Sequence, residues 1–164
     1  MANKVYSVLF VCTGNSARSI LAEGLMNEAA RGRFRAYSAG SHPTGVVNPF
    51  ALEALAELRI PTDGFRSKSW DEFSGPAAPS LDFVFTVCDQ AAGEVCPFWP
   101  GQPMTAHWGL PDPAAFVGTD DQKRQQFRAT AVTLKRRIDL MLSLPLQTLN
   151  SMALQQEVKD IGKR

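Results

Sequence analysis

The stretch Val5-Tyr6-Ser7-Val8-Leu9-Phe10-Val11-Cys12-Thr13-Gly14-Asn15-Ser16-Ala17-Arg18-Ser19 constrains the fold more than any other part of the chain. Lys4–Val11 is apolar enough to lie centrally in a parallel sheet. A short loop follows, and then a helix start, so the stretch predicts a strand–loop–helix unit. Cys12 stands where the strand ends, and Arg18 follows with five residues between, giving the pattern C-x5-R-S. Gly14 and Asn15 tolerate left-handed backbone, so the loop can curl with its N–H groups inward. The helix behind it adds unpaired N–H groups and the positive end of its dipole. Thr13, Gly14, Asn15, Ser16, Ala17 and Arg18 would then form a nest for a tetrahedral oxyanion. The Cys12 thiol lies at its floor and the Arg18 guanidinium at its rim. Such a field favours thiolate, and the expectation is a pKa below the ordinary value of about 8.5, in the roughly 3.5–7.5 range of activated cysteines.

C-x5-R alone is a short pattern, and a strand-ending cysteine is often core. Here the apolar strand before it, the Gly-Asn loop within it and the amphipathic helix after it favour a nucleophile aimed at an anion.

Composition narrows the function classes. The chain has 164 residues, 45% hydrophobic and 20% charged, enough for one domain with a substantial core. A net charge of +1 gives no reason to expect a nucleic-acid partner. No run reaches transmembrane length, so no membrane association is expected. The apolar run Val8–Val11 is too short for a signal-peptide core, and a cytoplasmic protein is expected. Three cysteines in such a chain argue against a disulfide framework. His42 and His107 lack metal-ligand spacing with the cysteines, so no metal site is expected.

Helical periodicity places Ser19–Ala30 on a helix closed by Gly32. Phe34–Ala39 reads as the second strand. Asn48-Pro49 caps a helix whose buried side is Leu52, Leu55, Ala56 and Leu58. Ser67–Phe73 reads as a short helix, and Leu81–Val87 as a third strand ending at Cys88. Asp89–Gly101 is a loop containing Cys96, and Met104–His107 is the fourth strand. Asp120–Leu142 is the longest helix, with Phe127, Ala131, Leu134, Ile138 and Met141 on one side and Lys, Arg and Gln on the other. Pro145 breaks it, and Leu146–Ile161 reads as a last amphipathic helix.

Strands alternating with helices predict an α/β fold: a three-layer sandwich around a central four-stranded parallel sheet. The domain would span residues 1–144, with a C-terminal helical extension over 145–164. Ligands bind at the carboxyl ends of strands in such sheets. Cys12, Cys88 and the loop after the fourth strand all lie there.

That loop carries Asp112-Pro113, and Asp112 is the candidate general acid; an ordinary Asp-Pro turn is the plain alternative. Cys88 and Cys96 form C-x7-C, either one core and one incidental cysteine or a redox pair. A thiol adduct at Cys12 can be resolved by a second thiol, and a third can carry the disulfide to the surface. Asp89–Val95 is small and polar, as a loop that rearranges would be.

These blocks together resemble the arsenate reductases built on the low-molecular-weight tyrosine phosphatase fold. The resemblance rests on Cys12–Ser19, Ala22-Glu23-Gly24, Tyr37-Ser38-Ala39-Gly40, Val47-Asn48-Pro49, Val87-Cys88, Cys96-Pro97 and His107-Trp108-Gly109 with Asp112-Pro113-Ala114. It runs from about Val5 to Leu142. It implies that arsenate binds the loop and Arg18, that Cys12 attacks arsenic with Ser19 assisting, and that Asp112 protonates the departing oxygen. Cys88 would then attack Cys12, and Cys96 would attack Cys88. The reductant implied is thioredoxin, or glutathione with glutaredoxin, acting on a monomer or weak dimer. No resident cofactor is expected. Some relatives hold potassium with an Asn, a Glu, a Ser and an Asp; Asn15, Glu23 and Ser38 match the first three. The fourth position falls at Lys68, whose ammonium is expected to take the cation's place.

The nearest rival is a phosphatase for tyrosine phosphate or a small phosphoester, using Cys12, Arg18 and Asp112. Ala114-Ala115 after Asp-Pro, where such phosphatases carry an aromatic wall, favour a small inorganic oxyanion. A non-catalytic oxyanion-binding module, with the tail helix docking a partner, is the alternative from another class.

Overall fold

The computed structural model describes residues 4–88, 99 and 102–164. Cys96 and most of the expected Asp89–Gly101 loop lie outside the described residues.

The sheet is the predicted one. Strands β1 (Tyr6–Cys12), β2 (Phe34–Gly40), β3 (Phe83–Thr86) and β4 (Met104–His107) form a parallel sheet in the order β2-β1-β3-β4. β1 has neighbours on both edges, which is why Val8, Leu9 and Phe10 are fully buried. The chain runs from β1 to one side and later resumes on the other. The carboxyl ends of β1 and β3 therefore flank a topological switch point. Cys12 pairs with Gly40 at that edge.

Helix α1 (Arg18–Ala29) packs against α2 (Pro49–Glu57) and α3 (Asp120–Leu142). Gly24 permits the approach of α1 to α2, since a Cβ there would lie 2.9 Å from a Leu55 methyl. Asn48 caps α2 by accepting the Phe50 N–H, with Pro49 in the first turn. The buried face of α2 differs from the expected one: Ala51, Ala54 and Leu55 are buried, whereas Ala56 and Leu58 are exposed. The helix ends at Glu57, so Leu58 lies beyond its last turn, and the close approach of α1 selects alanine over leucine.

Thr119 and Gln122 form a capping box at the start of α3, with Asp120 and Asp121 in the first turn. Its buried stripe contains the five expected apolar residues and also Arg137. Arg137 is an exception to the all-polar opposite face. The short helix expected over Ser67–Phe73 is a single 3-10 turn over Trp70–Phe73, and Ser67, Lys68 and Ser69 precede it. The last helix, α4, covers Ser151–Ile161, and Pro145–Leu149 forms turns instead of helix. Val158 and Ile161 are buried where α4 packs on β4 and α3. No helix among the described residues is long and apolar enough to cross a membrane.

Candidate active site

Residues 12–18 leave β1 and curl into the N-terminus of α1. The curl is enforced from outside by the segment that follows β2. The N–H groups of Ser41, His42, Thr44 and Asn48 donate to the carbonyls of Cys12, Thr13, Gly14 and Ser16, at 3.2, 2.9, 3.0 and 2.9 Å. Ser67 Oγ adds a second donor to Gly14 O at 3.0 Å. With these carbonyls tied outward, the peptide planes turn their N–H groups to the inside. The N–H groups of Thr13, Gly14, Ser16, Ala17 and Arg18 have no protein acceptor among the described residues. The nest expected from the sequence is therefore built.

Asn15 adopts the left-handed conformation at φ 46°, and Gly14 does not. The glycine serves close approach instead, since a Cβ there would lie 3.2 Å from the Thr44 methyl. Asn15 is fully buried and acts as a cross-brace. Its Oδ1 accepts the Lys68 N–H at 2.9 Å, which fixes the amide, and its Nδ2 donates to Ser19 Oγ at 2.9 Å. The Ser19 hydroxyl proton is thereby left for Cys12 Sγ, 2.9 Å away. The Asn15 N–H also points at the sulfur, at 3.2 Å.

Burial pushes the Cys12 thiol above its ordinary pKa, against the pull of the Ser19 hydroxyl and of the Ser19 and Asn15 N–H groups. This corrects the expected direction. The loop's donors were anticipated, but the sulfur lies so deep that desolvation outweighs them.

A hollow of about 640 Å³ opens above the sulfur. The 12–18 loop, Thr44, Cys88 and Gly109–Asp112 line it. Arg18 spans it: Nη1 donates to Leu110 O at 2.9 Å, and Nη2 lies 3.6 Å from Asp112 Oδ2. Asp112 caps the turn Pro113–Ala115 through Oδ1, which accepts the Ala114 N–H at 3.0 Å. Its side chain remains 39% exposed, so the carboxyl reaches the mouth of the hollow. Cys88 is only 3% exposed, and its sulfur lies 3.5 Å from Thr13 Oγ1. The structure thus brings together Cys12, Arg18, Ser19, Cys88 and Asp112. Leu110 O and the outer tether at 41–48 were not anticipated.

Behind the loop, Lys68 Nζ donates to Ser38 Oγ at 3.3 Å and to Arg66 O at 3.1 Å, and lies 3.7 Å from Glu23 Oε1. Ser38 donates in turn to Glu23 at 2.5 Å. Burial pushes the Glu23 carboxyl up and the Lys68 ammonium down, each against the attraction of the other. The oxygens of Glu23 and Ser38 already face an ammonium, and Asn15 Oδ1 is taken by a backbone N–H. These groups do not fit a bound metal cation as well.

A thiol under a ring of inward amides, at the switch point of a parallel sheet, defines an oxyanion-handling phosphatase-like site. Residues 7–158 match the model of the low molecular weight phosphotyrosine protein phosphatases, and the chain belongs to that family. A low molecular weight protein tyrosine phosphatase from T. tengcongensis shares the fold, with a TM-score of 0.65 at 24% identity over 85% of this chain and 99% of that one. Other relatives are arsenate reductases. That of Halalkalibacterium halodurans is 37% identical over 131 residues, 80% of this chain and 91% of its own. That of Bacillus subtilis is 36% identical over 123 residues, 75% of this chain and 84% of its own. A solved arsenate reductase in the phosphate binding state superposes with a TM-score of 0.66 at 28% identity, covering 82% and 94% of the two chains. Within the family the chain stands with the arsenate reductases. The matched region extends into α4, beyond the limit at Leu142.

Proposed function

We propose that the protein reduces arsenate to arsenite through a three-thiol relay. The loop N–H groups and Arg18 hold the arsenate oxygens. The Cys12 thiolate attacks arsenic, forming an S–As bond, and Asp112 protonates the departing oxygen so that it leaves as water. Cys88 then attacks Cys12 Sγ. An S–S bond forms, the S–As bond breaks, and its electron pair stays on arsenic, which leaves as arsenite. Attack of Cys96 on Cys88 returns the Cys12 thiolate and leaves a Cys88–Cys96 disulfide. A dithiol reductant of the thioredoxin type reduces that disulfide, as the name of a Corynebacterium glutamicum structural neighbour also suggests (TM-score 0.56, 26% identity, 85% of this chain and 65% of that one).

The observation that carries this reading is the presence of Cys88 in the same hollow as Cys12, which Asp112 also lines. A phosphatase needs Cys12 and Asp112 but has no use for Cys88. The exposed, small Ala114 and Ala115 beyond Asp112 also leave no wall for a phenyl ring. We further read the Lys68 ammonium as filling the place that a cation takes in some relatives, and we place the enzyme in the cytoplasm.

The test is a thiol count on reduced protein mixed with arsenate and no external reductant. The relay predicts a fall from three thiols to one, with one arsenite released per chain and the disulfide mapped to Cys88–Cys96. Three thiols retained, with no arsenite even after adding glutathione, would favour the phosphatase.

A further inference from the structure

The carbonyls of Trp108 and Gly109 open the segment that carries Asp112, and one side chain holds both. Arg137 Nη1 donates to Trp108 O at 2.7 Å and to Gly109 O at 3.3 Å. No other donor among the described residues reaches either oxygen. Arg137 stands on the buried stripe of α3 and is 6% exposed. Among the described residues no carboxylate pairs with it, and its Nε is buried without a partner. Burial and the neighbouring Arg136 push its pKa down. An apolar side chain of similar length would fill the stripe without burying a charge. What the guanidinium supplies there is a rigid donor for two carbonyls.

The same segment is gripped from two further sides. The Trp108 ring stacks on Phe85 of β3 at 4.2 Å and 13°. Its Nε1 donates to Val158 O of α4 at 2.9 Å. Helix α4 comes this close because of Gly162, where a Cβ would lie 2.2 Å from His107 O. Just beyond the clamp, Leu110 O receives Arg18, and Asp112 faces the same guanidinium.

We propose that Arg137 is a positioning residue for catalysis: it holds Trp108 and Gly109 so that Asp112 meets the oxyanion bound at Arg18, with the tail helix α4 as the outer half of the clamp. Arg137 touches neither substrate nor sulfur and acts through the backbone of the acid loop. The proposal rests on the reading of Asp112 as the proton donor.

The test is a double-mutant cycle on the first turnover, reading arsenite release by fully reduced protein against arsenate concentration. Asp112→Asn should slow the maximal rate by about 10²-fold or more. Arg137→Met should slow it by about tenfold, with the half-saturating arsenate concentration changed by less than about threefold, because the amide ring is untouched. The double variant should be no slower than Asp112→Asn alone, since a misplaced acid cannot be lost twice. Trp108→Phe, which keeps an aromatic ring against Phe85 and removes the N–H to Val158, should show the same non-additivity, and it serves if Arg137→Met does not fold. Rate losses that multiply in the double variants would overturn the proposal while leaving Asp112 as the acid. So would an Arg137→Met enzyme of unchanged rate. Full activity in Asp112→Asn would overturn the reading of Asp112, and this proposal with it.

Discussion

Replacing Asn15 by Asp tests the proton arrangement at the nucleophile while keeping its shape. In the native site Asn15 Nδ2 donates to Ser19 Oγ at 2.9 Å, and Ser19 is thereby left to donate to Cys12. In Asn15→Asp the oxygen that accepts the Lys68 N–H is retained. The other oxygen can only accept, so the Ser19 proton turns to it and away from the sulfur. The thiolate then loses a hydrogen bond of the charged class, about 1.5–3 kcal/mol. At about 1.4 kcal/mol per tenfold, the thiol midpoint rises by about one to two pH units. The new carboxylate pushes in the same direction. The assay is the pH dependence of iodoacetamide alkylation of Cys12, with Cys88 and Cys96 both replaced by Ser. In the parent, burial raises the thiol pKa, so the alkylation midpoint lies above the ordinary thiol value. The linked stability has the same sign. The fold favours the protonated thiol, so this contribution is complete below the unfolded pKa and is lost as pH rises towards the folded one. Asn15→Asp should move the alkylation curve and the alkaline loss of stability upward together. A midpoint that stays still or falls would refute the proton order Asn15 to Ser19 to Cys12.

Two further perturbations probe the supports of the loop. Gly40→Ala would place a Cβ 2.4 Å from Thr13 O and 3.0 Å from the Asn15 backbone N. Backbone atoms cannot yield as a side-chain tip can, so the chain should fold with arsenate reduction down by about 10²-fold, read as kcat/KM. Lys68→Ala leaves Glu23 buried beside Ser38 without its cation and should lower stability by about 3 kcal/mol in urea unfolding. Potassium should raise the melting temperature of that variant and leave the parent unmoved. A potassium-dependent rise in the parent would refute the view that the ammonium fills the cation's place.

The parts of the molecule legible in the sequence are those whose cause is local. β1, the curl at Asn15 and the start of α1 follow from neighbouring residues, and they stand within a residue or two of expectation. The long helix is legible from its caps and its stripe of apolar residues. Arg137 lies on that stripe, three positions after Leu134 and four before Met141. The spacing was visible, but a count of apolar residues passes over an arginine, and its reason for being there is two backbone carbonyls distant in sequence. The same blindness hid Leu110 O, since a backbone acceptor leaves no mark in residue types. The buried face of α2 is not legible from hydrophobicity, because the approach of α1 selects for size. The direction of the Cys12 shift is not legible either, because the loop's field can be read from its residues and the depth of the sulfur cannot.

The supports around the two described cysteines differ, and the proposed relay needs that difference. The carbonyls of Cys12, Thr13, Gly14 and Ser16 are tied to 41–48, and the Asn15 side chain is tied to Lys68 and Ser19. Such a loop keeps its donors in place when charge builds on the bound oxyanion, which is where preorganisation lowers a barrier. It also keeps the Cys12 sulfur from leaving the floor of the hollow. Cys88 is buried in the same hollow, two residues beyond a four-residue strand. A disulfide between the two would be shielded from a protein-sized reductant. If Cys12 is held and the proposed disulfide must reach the surface, the movement falls to Cys88. The hydrogen bonds of Trp108 to Arg137 of α3 and to Val158 of α4 hold the Asp112 segment, so the movement that the proposed relay requires falls to Cys88.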